Sequence, residues 1–131
     1  MNHFLVDYRT ALFAGVALLC AAQAGSGWAA IAGSCNNPAG GMCIEYNGAG
    51  YKDAQRLQRT CEALKSTFIA GAGCPTEELV GTCVRGKGEA MESTYRYYTQ
   101  FPGSGYAFTR EKVASEGQRQ CKPPKGDWKL N

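Results

Sequence analysis

From Glu78 to Phe101 apolar and polar positions alternate with a period of two, the pattern of a half-buried strand. Leu79 to Arg85 is a short apolar run, Gly86-Lys87-Gly88 a turn, and Glu89 to Phe101 a longer returning strand. Along the return Met91, Ser93, Tyr95, Tyr97, Thr99 and Phe101 share one face, and Glu92, Thr94, Arg96, Tyr98 and Gln100 share the other. This hairpin is the element the rest of the chain is expected to cover. Met42 to Tyr46 reads as another short strand, with Met42, Ile44 and Tyr46 on one face and Cys43 and Glu45 on the other. Ser34 to Gly41 reads as a loop, because its Asn, Pro and Gly cluster marks turns. Downstream of Asn47-Gly48-Ala49-Gly50 the period changes. Asp53 is an expected N-cap, and Leu57, Cys61, Leu64 and Phe68 recur as one stripe of an amphipathic helix that Gly71-Ala72-Gly73 ends. A second helix is predicted from Tyr106 to about Glu116, just before Gly117. Trp128 then closes the core as a short last strand or an anchored tail.

The first quarter of the chain changes the setting of these elements. Ala11 to Ala22 is uncharged and apolar, and small residues follow, the layout of a secretory signal peptide. The expected division is a signal over residues 1–32 and a single domain over 33–131. Candidate cuts lie after Ala24, Ala29 and Ala32; one of the last two, Ala29 among them, is expected, because a cut after Ala24 leaves almost no polar spacer. An uncut span from Ala11 to Gly33 is weakened by Gln23, Ser26 and the glycines. A lipid attachment at Cys20 is opposed by Leu19, which stands where lipoprotein signals carry a small residue. Removal of the signal leaves six of the seven cysteines: Cys35, Cys43, Cys61, Cys74, Cys83 and Cys121. An even set in a small exported domain implies disulfides. Spacing does not choose among the pairings; the short loop between Cys61 and Cys74 makes that pair the expected one, with Cys35 or Cys43 tied to the sheet.

The same cut removes His3, the only histidine, and with it Ser–His and Cys–His catalysis. The formal charge of +3 is too small to imply a nucleic-acid partner. Zinc is not expected, since no two cysteines stand at C-x-x-C distance, and no cofactor is implied. Gly81 to Lys87 matches G-x-x-x-x-G-K, but Gly88 stands where a phosphate loop needs Ser or Thr. Glu45 and Glu92 are the acids expected on sheet faces, as solvated residues or partners of Arg85 and Arg96. Alternation sends Tyr95 and Tyr97 inward and leaves Arg96 with Tyr98 as the candidate binding surface. The basic tail from Arg119 to Lys129 reads as a solvated end or a contact for anionic envelope surfaces.

Two stretches echo each other. Gly48-Ala49-Gly50-Tyr51 leads into a helix ending Gln58-Arg59-Thr60-Cys61, and Gly103-Ser104-Gly105-Tyr106 into one ending Gln118-Arg119-Gln120-Cys121. Two strand–loop–helix units, each stapled by the cysteine at its helix end, are one reading of that echo. The succession Cys43-Ile44-Glu45-Tyr46, Cys61, Cys74-Pro75, Val80-Gly81-Thr82-Cys83, Tyr95 to Tyr98 and Cys121 resembles small exported cysteine-rich bacterial proteins of unassigned function. The resemblance implies a structural framework and carries no activity. The expected fold is α+β: a small disulfide-stapled antiparallel sheet of about three strands with two helices on one face. The expected function is an exported, non-enzymatic binding or envelope-associated module. Its partner is an unidentified protein or envelope component, with no nucleic acid and no membrane span after signal removal. A secreted inhibitor or toxin-like effector acting on a protein is the alternative, and a small histidine-free hydrolase the third.

Overall fold

A computed structural model describes residues 30–131. Residues 1–29, which hold most of the expected signal (1–32) and of its rival span and the expected lipid site at Cys20, lie outside the described residues. Six strands and two helices follow in the order β1 (Gly33–Asn37), β2 (Met42–Tyr46), α1 (Ala54–Ala63), β3 (Thr67–Ala70), β4 (Leu79–Arg85), β5 (Ser93–Tyr98), α2 (Arg110–Gln120) and β6 (Asp127–Leu130). The fold is α+β, but the expected sheet of about three strands is corrected to six, all antiparallel, in the order β3-β1-β2-β5-β4-β6. The strands anticipated from alternation are β2, β4 and β5. β1 lies where a loop was expected, and β3 where the first helix was expected to continue. Helix α1 ends at Ala63 because Leu64 and Lys65 fold back onto Cys61 and Glu62, with Lys65 at positive φ. Phe68 therefore reaches the core from a strand.

The sheet is built from two units of one topology. The first runs β1-β2-α1-β3 with strand order β3-β1-β2, and the second runs β4-β5-α2-β6 with order β6-β4-β5. They meet at β2 and β5, whose pairing is centred on Ile44↔Tyr95. Ile44 opposes Cys35 in one unit and Tyr95 opposes Cys83 in the other. Cys35 in turn opposes Phe68, and Cys83 opposes Trp128. A pseudo-twofold axis through the Ile44–Tyr95 pair thus relates Gly33-Ser34-Cys35 to Gly81-Thr82-Cys83, Glu45 to Arg96 and Tyr46 to Tyr97. The two glycines are equivalent in function as well. A Cβ on Gly33 would stand 2.6 Å from the Phe68 ring, and one on Gly81 2.5 Å from the Trp128 ring.

Each unit is stapled alike: Cys35–Cys61 and Cys83–Cys121 tie the end of a helix to the first strand beneath it. Cys35, Ile44, Tyr95 and Cys83 share one sheet face by register, so both helices lie on that face. The third bridge, Cys43–Cys74, has no counterpart. It holds the connection from β3 to β4, which must cross the sheet from one edge to the far half. That strap runs over the face opposite the helices, where Cys43, Cys74, Tyr98 and Phe101 form a buried cluster. The expected Cys61–Cys74 pair is corrected accordingly: the sheet lies between those two cysteines.

The second helix is also shifted from its expected place. Thr109 caps it by accepting from Lys112 N–H, and the helix runs through Gly117 rather than stopping there. The reason is Trp128, whose ring lies against Gly117 from β6. The first unit fills the equivalent space with a larger helix residue, Leu57, and a smaller ring, Phe68. The expected basic tail is a turn followed by this last strand, and Arg119 is ion-paired with Glu116.

Candidate functional site

Each unit carries a cleft where the end of its second strand meets the first turns of its helix. In the first unit the loop after Tyr46 must run tightly along the β4–β5 hairpin, and two glycines permit it. A Cβ on Gly48 or Gly50 would stand 2.1 or 2.7 Å from the Ala90 carbonyl oxygen. With no Cβ there, Asn47 and Gly48 N–H donate to the Glu92 carbonyl and Gly50 N–H to that of Ala90. Tyr51 follows, and its hydroxyl donates to the Met91 carbonyl at 2.9 Å. Asp53 then caps α1 by accepting from Arg56 N–H at 2.9 Å, as the sequence predicts. The result is a cleft of about 230 Å³ between this loop, α1 and the hairpin.

The cleft is apolar below and cationic at its rim. Tyr46 and Tyr51 meet edge to face with centroids 4.9 Å apart, and Leu57 closes the floor. Met91, 55% exposed, forms one wall. Lys52 and Arg56 line the rim and join no ion pair among the described residues. Asp53 is the one acid there, and its carboxylate is engaged at the helix cap. Tyr46 is only 8% exposed, and its hydroxyl has no hydrogen-bond partner among the described residues. Burial pushes its phenol pKa above the ordinary value, helped by the neighbouring Tyr95 and Tyr51. The group is therefore a neutral donor at any physiological pH.

The second unit satisfies its tyrosine hydroxyl internally. Its cleft, about 130 Å³, has Tyr97 and Phe108 where the first has Tyr46 and Tyr51. The Tyr97 hydroxyl donates to Gln120 at 3.3 Å, and the ring packs edge to face on Trp128. Gln120 in turn donates to Glu116, which is also held by Arg119. These two bonds hold the Glu116 carboxyl below its usual range. Lys112 stands 5.7 Å from the Phe108 ring centroid.

The residues singled out from the sequence are placed elsewhere. Tyr98 has 0% exposure; its hydroxyl donates to the Pro75 carbonyl at 2.7 Å and its ring packs on Phe101. It cannot stack on a ligand, so the expected Arg96–Tyr98 surface does not form. Arg96 is paired instead: Nε and Nη2 donate to the two Glu45 oxygens at 2.9 and 3.2 Å. Glu45 also accepts from Cys74 N–H at 2.8 Å, so one carboxylate binds both units to the strap. Glu92 accepts from Gly88 N–H in the hairpin turn. The two acids thus have structural partners. Gly81 to Lys87 is β4 and its turn rather than a phosphate loop. The six cysteines form the three bridges, and no other group of three His, Cys, Asp or Glu side chains gathers to hold a metal among the described residues. No described helix is long and apolar enough to cross a membrane.

The cleft residues were missed because each has a bland local role: a strand tyrosine, an N-cap, a helix arginine. Only the echo of Gly48 to Tyr51 pointed to that loop. Comparison with known proteins finds no matching family model, curated protein or solved structure.

Proposed function

We propose that the chain is an exported binding module without enzymatic activity, held rigid by its disulfides and engaging a protein or envelope component. The observation that supports this most is the set of three bridges, of which five half-cystines are at most 1% exposed. Such bridges persist in oxidising compartments. They fix both helices on the sheet, so the clefts beside them are pre-shaped and binding carries little ordering cost. The sheet also favours processing after Ala29 over Ala32. Ala32 N–H donates to Tyr46 and its carbonyl accepts from Gly71, so a cut after Ala32 would strip two sheet bonds. The test is the intact mass of protein from the exported fraction, with thiol alkylation before and after reduction. A chain beginning at Ala30, alkylated only after reduction, is expected. Thiols that react before reduction, or a chain found only in the cytoplasm, would overturn the reading.

The alternative of a secreted inhibitor or effector has one feature in its favour. The turn from Lys87 to Met91 is exposed yet held in shape by Glu92 and Tyr51. It suits insertion into a partner better than the stretches 36–41 and 71–76, which are tied to the sheet. Growth arrest of competing cells by the purified protein would favour it.

A further inference from the structure

The pseudo-twofold makes the two clefts a controlled comparison. Where the second unit ties its tyrosine hydroxyl to Gln120 and through it to Glu116, the first leaves the Tyr46 hydroxyl and Arg56 without side-chain partners; Lys52, like Lys112 in the second cleft, joins no ion pair among the described residues. The Tyr46 ring is nine-tenths buried, but its hydroxyl is bonded to no described residue and stays accessible from the cleft, a donor open to a ligand. Two unpaired cations at the rim give the sign of the missing group. The N-terminus of α1 adds partial positive charge on the same side. The apolar floor requires that the anion be attached to an apolar body.

We propose that the α1 cleft binds an apolar side chain or ring bearing a carboxylate, with Tyr46 and Arg56 holding the anion. Tyr46 Oη donates to one carboxylate oxygen. Arg56 and Lys52 balance the charge from the rim. Tyr51, Leu57 and the Met91 thioether pack on the apolar body. At about 230 Å³ the cleft falls below the ~300–1,000 Å³ of sites for drug-sized ligands. One ring with its carboxylate fits, and anything larger continues into solvent. A free aromatic or branched acid and the C-terminal residue of a peptide share this chemistry. The inference rests on the reading of the chain as a binder.

The experiment is a titration of the oxidised mature protein at low salt, followed by amide chemical shifts. The probes are N-acetylphenylalanine, its amide, and a short glycine–serine peptide ending in phenylalanine. The acid is expected to shift residues of α1 and of the loop 47–53, and to bind roughly tenfold tighter than the amide, the worth of one charge-assisted hydrogen bond. Tyr46→Phe and Arg56→Gln should each weaken the acid by roughly three- to tenfold while the free spectra stay native. Lys112→Gln, at the other cleft, should leave it unchanged. Binding of the peptide as well would assign a chain terminus; binding of the free acid alone would assign a small acid. Equal affinity for acid and amide, shifts centred on Tyr97 and Phe108, or no shifts at millimolar probe would overturn the inference. An exported, fully oxidised protein that ignores these probes would sink the ligand class and leave the module reading standing.

Discussion

The contact between Gly117 and Trp128 gives the sharpest stability prediction, because it sets two known effects against each other. A glycine inside a helix costs about 1 kcal/mol relative to alanine, so Gly117→Ala should stabilise α2 if space allowed. It does not: the added Cβ would stand 2.2 Å from Trp128 Cη2 and 2.4 Å from Cζ3. The indole cannot retreat easily. It is packed edge to face on Tyr97 with centroids 5.4 Å apart, and its strand is paired to β4. Overpacking of this kind costs roughly 1–3 kcal/mol. Gly117→Ala alone should therefore be neutral to destabilising by about 2 kcal/mol. In a Trp128→Phe background the outer ring is gone, and the first unit shows that a phenyl ring accommodates a full leucine at the equivalent helix position. There the same substitution should stabilise by up to about 1 kcal/mol. The sign reversal is the signature. It is measured as a double-mutant cycle by urea unfolding with the disulfides intact, followed by far-ultraviolet circular dichroism because Trp128→Phe removes a fluorophore. A coupling under about 0.5 kcal/mol, the scatter expected for independent sites, would mean that helix and strand do not meet as described.

Three further outcomes follow from the same structure. Glu45→Gln should destabilise by about 3 kcal/mol, the low end for breaking a buried pair, since Arg96 keeps 23% of its side chain exposed. Adding Arg96→Met should recover part of that loss, and full additivity in urea unfolding would refute the coupling. Burial raises the phenol pKa values of Tyr46, Tyr97 and Tyr98 above 10.0. The neutral rings favour the fold, so their contribution is complete below pH 10 and is lost as pH rises toward the folded values; tyrosinate absorbance should show these groups ionising only as the fold is lost. Replacing either helix staple, Cys35–Cys61 or Cys83–Cys121, by alanines should cost about 3.5–4 kcal/mol by loop closure. The difference between separations of 26 and 38 residues is only a few tenths on that scale; a loss under about 1 kcal/mol in either would contradict the closed loops.

What could be read from the sequence was what depends on near neighbours. Alternation marked β2, β4 and β5, and capping marked Asp53, because each pattern is set by residues within a turn or a strand. β1 escaped because Gly33–Asn37 holds no β-branched or aromatic residue, and it becomes a strand only by lying between β2 and β3. β3 escaped because Phe68 falls on the helical stripe of Leu57 and Cys61; the β-prone run Thr67-Phe68-Ile69 was the competing signal. Tyr98 was assigned outward because alternation knows only one covered face. The chain must cross from β3 at one edge to β4 in the other half, and that crossing buries the second face. No periodicity carries that fact. The same crossing places Cys74 on one side of the sheet and Cys61 on the other, which defeats pairing by loop length.

The duplication was legible only as an echo, and its structural alignment runs through Gly-Ser-Cys and Gly-Thr-Cys instead of the helix ends. The two halves share the scaffold and differ in how their polar groups are closed. Glu45 and Arg96 occupy equivalent positions, yet one became the acid and the other the base of the pair that locks the halves together. Tyr46 and Tyr97 are equivalent, yet only Tyr97 found an internal partner. A scaffold that needed all its polar groups for stability would have closed both clefts in the same way. The larger cleft with the unpaired tyrosine and cations is therefore where selection for something other than stability is to be sought, and the α2 cleft is its internal control.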